Sequence, residues 1–502
     1  MKRLFVGAAA AAVTITPVLA ADIPARPPVT KAPVAAAPAY SWSGCYLAAG
    51  GGYGMWNQVS TSLAIPPFGS LTVESPPITS SGRGWFGTVG GGCDYQVGDR
   101  WVVGALADYD LSALKGDFLN TFEGQFGREK LRSSWAAGGR IGWLATPAIL
   151  AYVSGGYTQA RFSAVDVFIA FDPPSPTGTH LAATTYSGWF LGGGAEVMLS
   201  SGWFVRSEYR YAHYGHEFLW FLDNATGSRT RFSTDGEKIV QTVRAELVWK
   251  FGGSRAASEA AIYAHAADIP MKAPRPAPVY NWSGCYVDAG GGYGMWSTQA
   301  TRETDPAFGH VDIVSATVAS GGGRGWLGSV GGGCDYQIGD RWLAGAFASY
   351  DFSALKGHVA DPLSGEFGPE KLKSSWAIGG RIGWLITPAI LAYASGGYTQ
   401  ARFDQVDVFF AFNPPVREPF FLPATTYSGW FVGGGTEFML SPGWFIRNEY
   451  RYARYDNEFR PYLLTTTGAS SVLGVASEKF VQTVRTELVW KWNWGGAARA
   501  AY

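Results

Sequence analysis

The stretch Val240–Phe251, VQTVRAELVWKF, alternates between polar and apolar residues along its length. Successive side chains of an extended chain point to opposite faces. One face of this segment carries Thr242, Arg244, Glu246 and Lys250, and the other carries Val243, Ala245, Leu247, Trp249 and Phe251. A strand with one charged face and one face of Trp, Leu and Val is typical of the wall of a membrane barrel, whose outside meets lipid and whose inside is polar.

The composition of the whole chain fits strands of this kind. Its 502 residues include 67 Gly, 21 Trp, 25 Tyr and 30 Phe, and only 16% of them are charged. A mean hydropathy of +0.01 argues against a helical membrane protein, which needs long apolar runs. A formal net charge of +0 at pH 7 argues against a nucleic-acid partner, because such a partner requires an excess of Lys and Arg.

The first half of the chain contains about eight segments with alternating polarity, each bounded by turn residues. The connections alternate between very short turns, such as Val97–Arg100, and long polar loops, such as Asn57–Gly84. Short turns on the periplasmic side and long loops outside are what an outer-membrane barrel has, so we predict an all-β fold, a transmembrane antiparallel up-and-down β-barrel. The predicted strands lie around Gly44–Trp56, Trp85–Gln96, Trp101–Leu111, Leu131–Leu144, Ala148–Phe162, Thr185–Leu199, Trp203–Tyr214 and Lys238–Phe251.

The second half repeats the first. YSWSGCYLAAGGGYGMW at Tyr40–Trp56 returns as YNWSGCYVDAGGGYGMW at Tyr280–Trp296, an offset of 280 − 40 = 240 positions. We therefore predict two tandem eight-stranded barrels, at residues 41–251 and 280–494, joined by a periplasmic linker at residues 252–279 and followed by a C-terminal tail at residues 495–502. The alternative is a single barrel of sixteen strands, wide enough to leave an aqueous channel.

The beginning of the chain predicts export. Met1–Ala20 has the features of a signal peptide: Lys2 and Arg3 come first, a mostly apolar run follows, and Val18-Leu19-Ala20 offers a cleavage site. A segment rich in Pro and Ala occupies residues 21–40. We expect the cell outer membrane as the location, with outer-membrane lipid, lipopolysaccharide and the barrel-assembly machinery as partners.

Several motifs together resemble the outer-membrane immunogenic protein family, also described as opacity-like porin-family surface antigens. They are the ADIP at Ala21, NWSGCY with the following GYG, GGGCDYQ, GGRIGW with its GGY strand, the E-Y-R-Y strand and the closing VRAELVWKF. The resemblance covers the mature chain twice and implies an eight-stranded barrel that acts as a surface antigen. One departure is the GGAARAAY that follows Trp494, because family chains usually stop at an aromatic residue that closes the last strand.

Each copy carries one pair of cysteines. Cys45 begins the first strand and Cys93 ends the second, so antiparallel pairing would place them opposite each other, within disulfide reach. We predict the bonds Cys45–Cys93 and Cys285–Cys334, with four reduced thiols as the alternative. No metal site is expected, because no second Cys or His stands nearby at a ligand spacing.

Charges of both signs fall on the face that the alternation assigns to the barrel interior. We read them as a paired network that fills a narrow barrel rather than as an acid/base site, and we expect no enzyme activity and no cofactor. Glycine runs such as Gly50–Gly54 indicate room for interior side chains, not a nucleotide site. The predicted network comprises Glu196, Arg206, Glu208, Arg210, Arg244 and Glu246 in the first copy and Glu437, Arg447, Glu449, Arg451, Arg485 and Glu487 in the second.

The sequence thus favours a non-enzymatic barrel with a structural role in the envelope that also presents surface loops. The alternative function is a passive-diffusion porin with one wide channel for small solutes. The loops contain the apolar stretches Val165–Phe171 and Val406–Phe412. These stretches predict either strand extensions above the membrane or an adhesive surface for a host or cell-surface protein.

Overall fold

A computed structural model of the chain describes residues 40–65, 72–170, 173–251, 281–304, 313–319 and 321–493. The predicted signal peptide, the linker and the C-terminal tail lie outside these ranges, as does nearly all of the Pro/Ala-rich segment. In the part of the chain that is described, no helix has the length and apolar character needed to cross a bilayer.

The described residues form strands throughout, joined by turns. The first copy contains β1 (Gly44–Ala64), β2 (Thr72–Val73), β3 (Ile78–Val97), β4 (Trp101–Ser112), β5 (Lys115–Asn120), β6 (Gln125–Thr146), β7 (Ile149–Phe162), β8 (Val165–Ile169), β9 (Ser175–Leu181), β10 (Thr184–Ser200), β11 (Trp203–Asp223) and β12 (Arg229–Phe251). The second contains β13 (Gly284–Thr304), β14 (Ile313–Ala319), β15 (Gly322–Ile338), β16 (Trp342–Asp361), β17 (Glu366–Thr387), β18 (Ile390–Phe403), β19 (Val406–Phe410), β20 (Val416–Leu422), β21 (Thr425–Ser441), β22 (Trp444–Leu464) and β23 (Ser470–Asn493).

Each copy closes on itself. In the first copy, eight long strands follow the order β10-β7-β6-β4-β3-β1-β12-β11, and pairing of β10 with β11 completes the ring. In the second copy, β23 pairs with both β13 and β22. The first strand of each copy therefore pairs with the last strand of the same copy, which confirms two antiparallel eight-stranded barrels. The chain does not form one barrel of sixteen strands.

Aromatic residues mark two levels on the outer wall of each barrel. Trp101 lies opposite Trp143 near the short turns, and Tyr109 lies opposite Trp135 higher up. Tyr109 follows Trp101 by 109 − 101 = 8 residues, or about 26 Å of extended chain. That length, reduced by strand tilt, suits the apolar band of an outer-membrane barrel between its two aromatic girdles.

Two of the three short turns of the first barrel depend on glycine. Gly98 and Gly202 have φ of 62° and 85°, values in the left-handed region that other residues rarely adopt. They reverse the chain directly between β3 and β4 and between β10 and β11. At the opposite end, most of the long strands extend beyond the upper aromatic level, and the short strands β5, β8 and β9 pair with these extensions.

The two barrels contact each other side by side. Tyr53 packs edge-on against Tyr452 at 5.3 Å, and Tyr211 packs edge-on against Tyr293 at 5.9 Å, measured between ring centroids. Tyr53 corresponds to Tyr293 in the repeat, and Tyr211 corresponds to Tyr452. One contact is thus made twice with the copies exchanged, which is the pattern of a two-fold, isologous interface. We call this interface the seam.

Polar groups continue the seam above the membrane. The Ser81 hydroxyl donates to Ser297 Oγ at 2.7 Å, and Arg324 forms an ion pair with Glu237 at 2.8 Å. His358 Nδ1 lies 3.0 Å from Thr79 Oγ1. His358 stands 358 − 350 = 8 residues past the aromatic level marked by Tyr350, and its burial lowers the pKa of the imidazole to about 4.

Candidate functional site

The interior of the first barrel contains a layer of charges centred on Glu196, next to a buried apolar cluster at the periplasmic end that includes Trp42, Leu150 and Phe204. This carboxylate forms ion pairs with Arg206 at 2.9 Å, Arg140 at 3.1 Å and Lys250 at 2.8 Å. Asp94 shares two of these cations, binding both Arg140 and Lys250. All five side chains are at most 8% exposed. Such buried charges are tolerated only because each has partners of opposite sign.

A second layer of charges lies above the first. Arg210 binds Asp108 and Glu208, each at 2.8 Å. Arg244 binds Asp110 at 3.1 Å, and the Tyr152 hydroxyl donates to Glu208 at 2.8 Å. Paired cations and carboxylates therefore span the lumen from wall to wall.

An apolar layer closes the interior near the upper aromatic level. Lys238 sits above it, on the extracellular side, bound to Glu129 at 2.7 Å. Its ammonium group also lies 4.1 Å from the ring centroid of Phe162 and 4.7 Å from that of Trp56. Both rings belong to a buried cluster of residues contributed by strands all around the barrel. Cation–π contacts of this kind favour a desolvated ammonium group.

Little empty space remains between these layers. The cavity among Tyr46, Arg140, Arg206 and Glu246 has a volume of about 10 Å³. The corresponding cavity of the second barrel also measures about 10 Å³. Each has room for about one water molecule. Glycines in the wall make this filling possible, because a Cβ at Gly52 would lie 2.7 Å from the Phe86 ring.

The second barrel repeats the network with one carboxylate moved. Glu437 again binds Arg381 at 3.0 Å and Arg447 at 3.1 Å. Asp108 of the first copy is replaced by Ser349, and Ala48 is replaced by Asp288. Asp288 binds Arg447 at 2.8 Å, so a carboxylate lost on one wall is supplied from another.

The structure places all twelve predicted network residues inside the barrels, with charged partners. Of the five not yet described, Glu246 lies 3.3 Å from Arg206 and Glu487 lies 3.4 Å from Arg447. Arg451 binds Glu449 at 2.8 Å, and Arg485 binds Asp351 at 2.9 Å. Sequence reasoning missed further members of the network. These include Asp94, Asp108, Asp110, Glu129, Arg140 and Lys238, with Asp288, Asp335, Asp351, Glu370, Arg381, Arg460, Lys479 and Lys491 in the second copy. Lys250 was assigned to the interior face but not included in the predicted network. Alternation with the outward Tyr95, Tyr109 and Leu111 was the signal that could have found the aspartates.

Both cysteine pairs are bonded in the structure. Cys45 faces Cys93 directly in the β1–β3 register, with Cα atoms 3.9 Å apart. Cys285 and Cys334 repeat the arrangement between β13 and β15. Each bond ties the first two long strands of its barrel together near the periplasmic end.

The apolar loop stretches form strands above the membrane. β8 pairs with β6 and β9, and its Val165 and Val167 are each 2% exposed. β19 does the same in the second copy, whereas Phe171 of the first stretch lies outside the described residues. Where the chain is described, no three His, Cys, Asp or Glu side chains converge as metal ligands would.

A closed antiparallel barrel with an apolar outer wall, two aromatic levels and a polar interior defines a transmembrane β-barrel of the outer membrane. The chain belongs to the family described as outer membrane protein beta-barrel domain, which it matches at residues 27–251 and again at residues 260–475. Two matches agree with the two closed sheets.

Similar proteins each align with about half of this chain. The 31 kDa outer-membrane immunogenic protein of Brucella melitensis is 29% identical over 253 residues, which cover 49% of this chain and 98% of that protein. The 25 kDa outer-membrane immunogenic protein of Brucella abortus is 27% identical and covers 50% of this chain and 99% of its own length. Among solved structures, the outer membrane protein OprG of Pseudomonas aeruginosa aligns with 43% of this chain and 99% of its own, at 12% identity and a TM-score of 0.30. The family match and the Brucella relatives agree with location in the outer membrane.

Proposed function

We propose that this protein is a non-enzymatic structural component of the outer membrane. Its two barrels have filled lumens, and their strands extend beyond the membrane to present a rigid β-sheet surface outside the cell. The observation that carries the proposal is the filling of both lumens. Charge layers and an apolar layer block each barrel. The cavities measure about 10 Å³ among the charges of either barrel and about 30 Å³ in the extracellular part of the second. A solute pathway would need continuous open space that these layers occupy.

The same contacts argue against catalysis in the interior. The carboxylate of Glu196 is surrounded by three cations, and that of Glu208 binds Arg210 and Tyr152. Carboxylates held in this way are enclosed by their partners, so they do not reach a substrate. Presentation of a surface is the finer part of the proposal, and it is supported by the name outer-membrane immunogenic protein that the Brucella relatives bear.

Conductance in a planar bilayer tests this function. We expect the purified full-length protein to give no large, stable openings, because both lumens are filled. Two variants give a matched comparison. The first replaces four interior charges of the first barrel by Ser together: Arg140, Glu196, Arg206 and Lys250. The control variant replaces four exposed residues of the outer wall by Ser. Stable openings from the unmodified protein would refute the structural role in favour of a porin.

A further inference from the structure

A groove on the outer wall of the first barrel combines an apolar floor with basic side chains. Its volume is about 930 Å³, and its residues come mainly from β3, β4, β6 and β7. Trp85, Tyr109 and Leu111 on the floor are 70%, 43% and 67% exposed. Lys130, Arg132 and Arg161 line the side farther from the periplasm. We call this feature the basic groove.

The basic groove carries three cations that form no ion pair with any carboxylate of the described residues. Among the described residues, no carboxylate oxygen lies within the 4.0 Å ion-pair distance of Lys130, Arg132 or Arg161. The barrel interior is the opposite, since its cations are bound to carboxylates. Three unpaired cations just above an aromatic level form a site that attracts an anion at the membrane surface.

A β-bulge helps to create this arrangement. Strict alternation along β6 from the interior Arg140 would turn Arg132 inward as well. The register between β6 and β7 shifts between Leu131 and Ser133, so Arg132 is the extra residue and is exposed. The second copy has the same shift between Leu372 and Ser374, which exposes Lys373. Bulges commonly re-aim a side chain in this way.

We propose that the basic groove binds the phosphorylated headgroup of an outer-leaflet lipid, which is lipopolysaccharide in the outer membrane. The phosphates contact Lys130, Arg132 and Arg161, and the acyl chains lie against Trp85, Tyr109 and Leu111. The groove lies on the outer wall, where the bilayer meets the barrel. Along the strands its apolar floor comes first and its basic side chains follow, farther from the periplasm. This is the order of the acyl chains and the headgroup in an outer-leaflet lipid. This inference rests on the outer-membrane location and not on whether the lumens conduct.

The second barrel has a weaker version of the same site. Lys371, Lys373 and Arg402 occupy the equivalent positions, above the exposed Trp326. However, Asp404 stands where the first copy has Ser163, and its carboxylate lies 3.6 Å from Lys373. One negative charge in the groove offsets part of the attraction for phosphate, so we expect the first barrel to hold the tighter of two sites.

Binding of labelled lipopolysaccharide to the full-length protein in nonionic detergent tests the proposal. We expect the triple variant K130Q/R132Q/R161Q to lose the tight site, which lowers the apparent affinity about fivefold to that of the second groove. Adding K371Q/K373Q/R402Q should weaken binding about 100-fold in total. If Asp404→Ser is instead added to the first triple variant, the apparent affinity should rise about fivefold. The substitution gives the second groove the serine that the first groove has at Ser163.

The controls separate a lipid site from general charge effects. R100Q/R229Q/R231Q removes three exposed cations elsewhere and should leave the affinity unchanged. Lipopolysaccharide stripped of its phosphates should bind about 100-fold more weakly, and millimolar inorganic phosphate should not displace the intact lipid because it lacks acyl chains. Equal loss in the groove and control triples, no gain from Asp404→Ser, or displacement by inorganic phosphate would overturn the proposal. Circular dichroism of each variant confirms that its barrels are folded.

Discussion

The interior charges of the two copies differ at positions that compensate for each other. Arg206 of the first copy binds Glu196 and Glu246, and its counterpart Arg447 has the additional partner Asp288. Arg210 binds Asp108, and its counterpart Arg451 contacts only the neutral Ser349 at that position, at 3.0 Å. Buried charge is therefore balanced over the whole lumen rather than pair by pair, as expected where an unpaired charge costs several kcal/mol.

This compensation can be measured within the first copy. Asp108→Ser should lower the free energy of unfolding in detergent by about 3 kcal/mol, because Arg210 and Arg244 lose a buried partner. Adding Ala48→Asp, the residue that the second copy uses, should restore a substantial part of the loss. The exposed Asp166→Ser serves as the control and should change little. If the double variant is no more stable than the single one, the two positions do not compensate.

Alternation was sufficient to place Arg244 and Glu246 inside the barrel, because the side-chain period of a strand is two and only one face can meet lipid. It could not place Arg132. A bulge adds one residue to one strand, and nothing in the local sequence of β6 marks where that residue is inserted.

The strands extend beyond the membrane-spanning part of each barrel. Alternation predicted that the strand beginning at Trp203 ends near Tyr214, whereas β11 continues to Asp223. Likewise, β12 begins at Arg229 and not near Lys238. Above the bilayer neither face of a strand meets lipid, so backbone pairing continues without the alternation that identifies a membrane span. β8 and β19 are the strand extensions that their apolar stretches predicted.

The orientation of these extensions predicts which turns are accessible from outside. Ala225→Cys, in the turn after β11, should react with a membrane-impermeant thiol reagent on intact cells. Asp99→Cys, in the short turn after β3, should react only after the outer membrane is permeabilised. Thr466→Cys and Asp340→Cys provide the matched pair in the second copy. Labelling of the Asp99 variant on intact cells would reverse the assigned orientation.

At the scale of the whole molecule, the repeat predicted two barrels but not how they sit together. The sequence does not distinguish Tyr53 and Tyr211 from the other aromatic residues of the outer wall. Their contacts with Tyr452 and Tyr293 join segments that are far apart in the chain. The seam also buries Met55 and Met295, each 0% exposed. Its two-fold pattern gives both copies the same contact, as in a homodimer whose subunits have been joined into one chain.

The seam should respond to pH through His358. Its folded pKa of about 4 lies below the usual 6.5, so the unfolded chain takes up the proton first as the pH falls. Stability from this group is therefore complete above pH 6.5 and decreases as the pH falls towards 4, by about 3 kcal/mol. His358→Gln should remove this part of the pH dependence of unfolding, whereas the exposed His216→Gln should not. Parallel curves for all three proteins would contradict the burial of His358.

The central claim is that each copy closes its own barrel, and disulfide trapping across the closing strands tests it most directly. Ala49 pairs with Leu247 in the first copy, and Ala289 pairs with Leu488 in the second. We expect A49C/L247C to form the new disulfide in the membrane, identified by mass spectrometry of linked peptides, and A49C/L488C to form none. The contradicting result is a disulfide between positions 49 and 488 and none between positions 49 and 247. The first strand would then pair with the last strand of the whole chain, and the account of two separate barrels would be wrong.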